Sequence, residues 1–542
     1  MNRALHLALL GTVALLPQGI SGQLYSAGAA HMAGTLALSQ DEACWINILF
    51  LMANLCALPL GAWLTRTIGS RLLIQGAGAL GLLCCAISAW QMSATWQLSA
   101  WAGHGMAAGL LTVTAQTLVL RNLGFRAIAL VEGGLMLVAT LLPMGVYPWI
   151  LARLAEDGLW PMAFAVQLLP YGLLLIWPLL FDWPERDKRR QLPFNWLQAT
   201  LTWLFTCSLG YLLLRGEHYN WLDSLKILET AQLLLVLGLA LVIALRRRWG
   251  RAHFLRISPL QNRLAKLYMF DAVVAGFAIL GTNLLIGTFA LAVLQYSHVE
   301  LGKLYLVGFG GMMVGLVFSL VVTSNPNRDP MKVVPLGVLL VLISSYWLSG
   351  GQAGSGLADM WPGLLVRGIA IGILNVTLTI HILRSFPRRH IPEGVALFYQ
   401  FRTLGSLLAA ALFGRLMYRE TQSAANLLGQ SKGLNAGTDY LNLPEQLGHL
   451  LLAGELKQQA LAVAAVNNFR IFILAVLLIV PVMVIFMRWA KAEKTGSQKM
   501  EVREARPVTP PAVSAADGID HPCERELAQD LIALEAPWGR ER

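Results

Sequence analysis

The hydrophobic residues of this chain fall into long runs separated by short polar stretches. The segment from Trp45 to Arg71 shows the pattern: about twenty mostly apolar residues, a short turn with Arg66 and Arg71, and then another apolar run. A helix needs ~20 apolar residues to cross a bilayer. The pattern therefore predicts an all-α polytopic membrane protein with fourteen transmembrane helices. These cover roughly residues 5–27, 43–63, 72–92, 97–120, 127–151, 159–181, 196–214, 225–245, 267–294, 304–323, 333–349, 361–383, 394–417 and 469–488.

Lysine and arginine occur mainly in every second loop between these runs. The loop after the second run holds Arg66 and Arg71, whereas residues 28–42, 93–96 and 350–360 contain neither Lys nor Arg. Basic loops stay on the cytoplasmic side of a membrane. With an even number of helices, this bias predicts a multi-pass membrane protein with both termini in the cytoplasm.

The composition excludes a soluble protein and gives no sign of enzyme chemistry. The chain is 56% hydrophobic and only 13% charged, whereas a soluble protein has about 25% charged residues. The net charge of +11 comes mostly from the short loops, which argues against a nucleic-acid partner. The six cysteines show neither a disulfide framework nor a metal spacing. No phosphate-binding G-x-x-x-x-G-K-[ST] motif occurs, and we expect no cofactor.

Three segments do not follow the pattern of short loops. Residues 246–266 are basic, and they form either a solvated charge run or a segment on the membrane surface. Residues 418–468 are predicted to form a long external loop, within which residues 447–466 are predicted to form an amphipathic helix. The tail 491–542 is Lys/Glu-rich and then Pro/Ala-rich, which predicts disorder.

Four groups of residues between 39 and 488 carry a family resemblance. They are Asn54, Pro59, Trp63, Leu64 and Gly69; Gly105, Gly109 and Gln116; Arg215, Gly216, Glu217, Trp221 and Ser224; and Arg402 with Gly405. In these positions the chain resembles the fourteen-helix drug:proton antiporters of the major facilitator superfamily, the EmrB/QacA type.

The resemblance implies two six-helix bundles around a central cavity, which rock against each other to give alternating access. Residues 1–190 would form the first bundle and 267–490 the second, with two inserted helices and the basic loop in 191–266. It also implies export of small amphipathic compounds in exchange for protons. A periplasmic adaptor protein and an outer-membrane channel are the implied partners, together with the lipid bilayer.

Several departures from the family concern the residues that couple transport to protons. The first helix contains no acidic residue, and Trp101 stands where the family has an arginine. In the loop motif Arg66, Gly69 and Arg71, the first of these replaces an aspartate. Gly69 fits a tight turn, which needs a residue without a side chain. The chain therefore resembles an exporter that lacks the usual coupling residues.

Glu132 is the strongest functional candidate, because a charged side chain inside an apolar helix is costly and usually functional. Gly133 and Gly134 follow it and are expected to leave room beside the carboxylate. One hypothesis makes Glu132 the proton-linked residue that replaces the missing acid of the first helix. The alternative is a structural ion pair with Arg121 or Arg126 near the cytoplasmic entrance.

Other ionisable candidates each have a structural alternative. Arg402 would act in the cavity or as a gate, or it forms a structural ion pair. Asp271 is a coupling candidate, but it is close enough to Lys266 for an ion pair at the membrane boundary. Arg367 has either a buried role or extends to the external boundary.

His104 and three amides complete the set of candidates. The histidine either packs by hydrogen bonding or takes part in proton movement. Asn54, Gln116 and Asn375 either make interhelical hydrogen bonds or contact the substrate.

The leading hypothesis is a secondary active exporter. A metabolite facilitator with altered coupling and a non-transporting membrane sensor or scaffold remain open as alternatives.

Overall fold

The computed structural model describes residues 3–90, 93–183, 193–246, 254, 256, 260, 263–325, 330–352, 354–431 and 445–504. Within these residues all regular structure is helical, which confirms the predicted fold class. The long helices are α1 Arg3–Thr35, α2 Gln40–Thr67, α3 Ser70–Ala89, α4 Ala94–Asn122, α5 (Phe125–Met136, a π-helical turn Leu137–Leu141, Leu142–Gly145 and Tyr147–Glu156), α6 Met162–Leu180, α7 Trp196–Arg215, α8 Leu225–Arg246, α9 Arg263–Thr288 with a π-helical end Phe289–Val293, α10 His298–Thr323, α11 Val334–Leu348, α12 Leu357–Arg384, α13 Ile391–Ser431 and α14 Glu445–Glu504.

Thirteen helices of the described residues are long and apolar enough to cross a membrane. The fourteenth, α4, has 29 residues but is more polar. Its residues 107–120 are all buried, including Thr112, Thr114 and Gln116. Since protein rather than lipid surrounds this half of α4, polar side chains are tolerated there. With α4 included, the number of long helices agrees with the prediction.

The loops between antiparallel helices lie on two faces of the molecule. We call the side with the α2–α3, α4–α5, α10–α11 and α12–α13 loops the basic face, and the other side the opposite face. On the basic face, Gly69 joins α2 to α3 with φ +89°, a conformation that favours glycine. The predicted tight turn is therefore present. On the opposite face, capping boxes at Ser39 and Ser297 begin α2 and α10.

Glycines allow three pairs of helices to pack with their backbones in contact. On α4, a Cβ atom at Gly105 would lie 2.1 Å from the Phe50 carbonyl oxygen of α2. Gly276 of α9 and Gly405 of α13 are equally close to carbonyl oxygens of the partner helix. Small residues at such interfaces are typical of helix packing in membranes. A third pair, α10 and α12, meets at Gly311, Gly315, Gly368 and Gly372.

We call helices α1–α6 the N-half, and helices α9–α14 as far as Met483 the C-half. The two halves meet along four pairs of helices: α2 with α13, α4 with α13, α5 with α10, and α5 with α12. Helices α7 and α8 pack against each other, and α7 also contacts α2 and α13. The division into two bundles with two inserted helices stays a prediction. From Val484 the chain forms a separate unit, whose described part is the end of α14.

The helices that border the predicted external segment 418–468 are longer than predicted. Helix α13 continues to Ser431 and α14 begins at Glu445, while 432–444 lie outside the described residues. The external position of this segment stays a prediction. Asn467 of α14 donates a hydrogen bond to Glu420 of α13 at 3.0 Å, so the two extensions contact each other. The predicted amphipathic segment 447–466 is helical.

The remaining segment predictions fall largely outside the described residues. Helix α14 runs to Glu504, so its end replaces the first part of the disorder predicted for 491–542, and residues 505–542 are outside the described range. Most of the basic stretch 246–266 is outside it as well.

Candidate functional site

The carboxylate of Glu132 is fully buried where α5 meets the C-half. Its exposed fraction is 0%, and within the described residues neither carboxylate oxygen has a hydrogen-bond partner. The predicted ion pair with Arg121 or Arg126 is therefore not formed. Gly133 does not leave an open space, since a Cβ atom there would lie 2.4 Å from Leu320 of α10. Gly134, in contrast, has nothing within 4 Å of that position.

Polar groups from both halves surround this carboxylate. The side-chain amide of Gln116 in α4 lies beside the Glu132 carboxylate, and Arg384 of α12 acts on it as a positive charge. The Gln116 amide donates a hydrogen bond to the Tyr399 hydroxyl of α13 at 3.2 Å. The Tyr399 side chain in turn lies within electrostatic range of the charges of Glu132 and Arg402. The structure thus brings three of the predicted residues into one polar cluster that joins the N-half to the C-half.

Arg402 and Asp271 each lack the ion pair predicted as their structural alternative. The Nη1 atom of Arg402 is buried without a hydrogen-bond partner, in the part of the chain that the structure describes. Asp271 is 1% exposed, and neither of its oxygens has a partner among the described residues. The predicted boundary pair of Asp271 with Lys266 is therefore absent. A second uncompensated carboxylate lies in α9, outside the Glu132 cluster.

The two buried asparagines differ in their surroundings. Neither polar atom of the Asn375 amide has a partner among the described residues, although its exposed fraction is 2%. Asn54 has an exposed fraction of 9%, and its backbone carbonyl packs against Gly109, where α2 and α4 approach closely.

His104 lies in an aromatic pocket inside the N-half. Its ring stacks on Phe164 with centroids 5.2 Å apart, and its Nδ1 atom lies 3.9 Å from the Cys85 sulfur. The ring has 0% exposure. These contacts favour the packing interpretation of His104.

Arg367 does not extend to the membrane boundary, so that prediction is wrong. The side chain of Arg367 is 2% exposed and donates to Thr282 Oγ1 at 3.0 Å. It also donates to the Ile279 carbonyl at 3.4 Å and to Asn283 Oδ1 at 3.3 Å. Arg367 therefore joins α12 to α9 inside the C-half.

On the basic face, charged residues join the two halves. Arg66 of the loop motif forms an ion pair with Glu393 of α13, and their side chains are only 11% and 3% exposed. Arg71 is exposed in the first turn of α3. Sequence reasoning did not single out Glu393, although it lies in the SFPRRHIPEG segment, which also resembles the family.

Arg384 forms a second contact between the halves on the basic face, and sequence reasoning missed it too. It donates to the Phe125 carbonyl at 2.7 Å and to the Thr323 carbonyl at 3.0 Å. Its guanidinium also lies 4.1 Å from the centre of the Phe125 ring. The only signal in the sequence was a cation at the end of an apolar run.

Beside Glu132, the halves meet through an apolar surface rich in methionine. It consists of Met136, Leu141 and Met144 of α5 with Met312, Leu316, Ile371, Val376 and Ile380 of α10 and α12. Methionine side chains adapt to irregular apolar partners. Within the described residues, no group of three or more His, Cys, Asp or Glu side chains is placed to hold a metal ion.

Comparisons with known proteins point in one direction. The family model of the Major Facilitator Superfamily matches residues 9–410. Over 400 residues, 72% of this chain and 75% of the relative, the chain is 21% identical to the colistin resistance protein EmrB of Acinetobacter baumannii. It is 22% identical to the multidrug export protein EmrB of Haemophilus influenzae over 432 residues, 76% of this chain and 80% of the relative.

Two solved structures share the fold. The human organic anion transporter MFSD10 (TETRAN) superposes with a TM-score of 0.53 at 14% identity, covering 88% of this chain and 97% of the other. The proton:xylose symporter XylE superposes with a TM-score of 0.51 at 13% identity, covering 85% of this chain and 94% of the other.

Proposed function

Since this chain belongs to the Major Facilitator Superfamily, we propose that it is a secondary active exporter of small amphipathic compounds that exchanges them for protons. The relatives named for colistin resistance and for multidrug export support the direction and the substrate class. We assign it to the bacterial inner membrane, with both termini in the cytoplasm. We assign it no enzymatic reaction.

The observation that carries the proposal is the carboxylate of Glu132, which is fully buried between the two halves and forms no ion pair among the described residues. Burial disfavours the charged form of a carboxylate, so such a group readily takes up a proton. A cationic substrate at the same site would pair directly with the carboxylate, and substrate and proton would exclude each other. Exchange then follows, because each ligand can leave only when the other replaces it.

Arg384 connects this exchange to the movement of the halves. The guanidinium holds the Phe125 carbonyl at the start of α5, and it also acts on Glu132 in the same helix. When Glu132 is protonated, the attraction between Glu132 and Arg384 is lost, and the contact between α5 and α12 weakens. Alternating access requires such a switch between the states of the two halves.

The methionine-rich surface next to Glu132 supports a broad choice of substrate. Met136, Met144 and Met312 meet there from both halves. Flexible, polarisable side chains can repack around ligands of different shape. The second buried carboxylate, Asp271, and the unpartnered Asn375 amide are further contact candidates for a polar group of the substrate.

The test compares Glu132→Gln with a matched control, Glu300→Gln, in proteoliposomes that contain a cationic dye. Glu300 is an exposed helix-capping residue on the opposite face. A pH difference of one unit supplies about 1.4 kcal/mol, enough for about a tenfold dye gradient with one-for-one exchange. Wild type and the control should build this gradient, whereas Glu132→Gln should only equilibrate the dye.

Three results would contradict the proposal. A Glu132→Gln variant that accumulates dye with normal pH dependence would place coupling at another residue. A wild-type protein that equilibrates dye but never accumulates it would identify a facilitator. A wild-type protein that moves no compound of a broad dye and drug panel would favour a sensor or scaffold.

An adaptor protein and an outer-membrane channel are the proposed partners. At 1.5 Å per residue, the 41 residues of α13 reach about 60 Å, twice the ~30 Å of the bilayer core. The extensions of α13 and α14 therefore project from the opposite face. From Gln458, which donates to the Val293 carbonyl at 2.7 Å, α14 packs on the C-half. Deleting 430–460 should abolish adaptor pull-down, and unchanged pull-down and export would exclude this partner.

A further inference from the structure

A lateral groove of about 540 Å³ opens between the end of α7, the turn that follows it, and α13. Leu213, Leu408 and Leu412 line its apolar part, while Asp223 and Arg419 contribute charged side chains. The groove is separate from the Glu132 cluster, which is buried between α4, α5, α12 and α13. We propose that it binds a zwitterionic aminophospholipid, whose phosphate contacts Arg419 and whose ammonium group contacts Asp223.

The walls of the groove are fixed by hydrogen bonds and ion pairs. Arg215 at the end of α7 donates to Asp41 of α2 at 2.6 Å. In the turn, the Trp221 indole donates to Glu217 at 2.9 Å, and Glu217 also pairs with Arg415 of α13 at 3.5 Å. The ion pair of Glu217 and Arg415 therefore holds the turn against α13, and the groove lies between these two elements.

The groove has the polarity of a phospholipid along the membrane normal. Helix α13 begins at Ile391 on the basic face, so ~20 residues bring it to the far boundary of the bilayer core near position 411. Leu408 and Leu412, 38% and 42% exposed, lie at this boundary and offer an apolar surface to an acyl chain. Arg419 is about 10 Å further along the helix than Leu412, at the level of the headgroups.

Trp221 independently places the groove at the membrane interface. Tryptophan is enriched where the bilayer core meets the headgroups. On the same opposite face, Trp90, Trp347 and Trp361 are 78%, 52% and 47% exposed, as expected for such a belt. The groove therefore opens where lipid headgroups are present.

The charges of the lining select the headgroup. Arg415 and Glu217 already neutralise each other. Arg419 and Asp223 are both exposed, and neither forms an ion pair with any residue that the structure describes. A positive and a negative charge thus remain in one groove. A phosphoethanolamine headgroup matches both, whereas an anionic headgroup would meet the carboxylate of Asp223 and a choline headgroup could not donate hydrogen bonds to it.

The experiment measures retained lipid by native mass spectrometry of the purified full-length protein, titrated with phosphatidylethanolamine, phosphatidylglycerol or phosphatidylcholine. Wild type should retain phosphatidylethanolamine most strongly. Arg419→Gln should weaken retention of all three lipids about fivefold, as expected for one cation near a headgroup. Asp223→Asn should remove the preference for phosphatidylethanolamine over phosphatidylglycerol and leave the latter unchanged or stronger.

Two controls separate this site from general effects. Lys303→Gln and Glu300→Gln change exposed charges on the same face, outside the groove, and should retain lipid like wild type. Soluble phosphoethanolamine tests whether the headgroup alone is the ligand, and it should not displace the lipid because it lacks an acyl chain for Leu408 and Leu412. Equal retention of the three lipids by wild type, an unchanged preference in Asp223→Asn, or displacement by soluble phosphoethanolamine would each overturn the proposal.

Discussion

The ion pair of Arg66 and Glu393 gives the sharpest structural prediction. It joins α2 to α13 on the basic face, and both side chains are almost fully buried, with 11% and 3% exposure. Removing one partner of a buried ion pair costs about 3–5 kcal/mol, because the other charge stays buried without compensation. Since the halves can separate and hydrate Glu393, Arg66→Ala should shift the equilibrium toward a state that is open on the basic face.

The size of the shift follows from the lower end of that range. A free-energy difference of about 3 kcal/mol changes the ratio of closed to open molecules by about a factor of 100. Spin labels on cysteines at positions 124 and 332 would report it, with the native cysteines replaced. Gly124 and Lys332 are both exposed on the basic face, and a Cβ atom at Gly124 meets nothing within 4 Å. Arg66→Ala should add a population at longer distance.

A charge-swapped protein controls for the loss of packing. Arg66→Glu combined with Glu393→Arg restores an ion pair and should return the distance distribution toward that of wild type. Arg71→Ala removes an exposed arginine of the same loop motif and should change nothing. A distribution that is identical in Arg66→Ala and wild type would refute the view that this pair holds the halves together.

Three further outcomes test the packing and the topology. A Cβ atom at Gly405 would lie 1.9 Å from the Val273 carbonyl oxygen, so Gly405→Ala should lower the stability of the protein by about 1–3 kcal/mol in thermal unfolding. Gly414→Ala is the control, because a Cβ atom at Gly414 meets nothing within 4 Å. Equal unfolding temperatures for the two variants would contradict this packing. His104→Phe should keep export, because the ring already stacks on Phe164, and a folded but inactive variant would restore the proton hypothesis for His104. A cysteine at position 430 should react with an impermeant thiol reagent from outside and one at position 255 should not, and the reverse labelling would invert the topology.

The sequence was sufficient to predict the helices and the glycine contacts because both depend on local composition. Apolar length predicted the spans, including α4, whose residues 97–120 form a recognisable run in spite of Thr112 and Gln116. Gly105 and Gly69 were recognised as parts of family motifs in the fourth helix and in the turn after the second helix. The structure gives a local reason for each: Gly105 lies against the Phe50 carbonyl, and Gly69 has a positive φ angle.

Contacts between distant helices were not predictable in this way. The partners of Arg66 and Arg384 are Glu393 and the Phe125 carbonyl, 327 and 259 residues away in sequence. Hydrophobic periodicity carries no information on such pairs. The helical extensions within 418–468 were underestimated for a different reason. They are too polar to be recognised as membrane spans, and their contact with each other, such as the hydrogen bond from Asn467 to Glu420, joins distant parts of the chain.

The two contacts between the halves on the basic face differ in how they would respond to protonation of Glu132. Arg384 binds the first residue of α5, and Glu132 lies seven residues further along the same helix, about 10 Å away. A change in the charge of Glu132 therefore acts on the Arg384 contact. Arg66 and Glu393 neutralise each other directly and hold α2 to α13 whatever the state of Glu132. In the proposed mechanism, the first contact acts as the switch and the second as a constant bias, and coupling does not require an acid in the first helix.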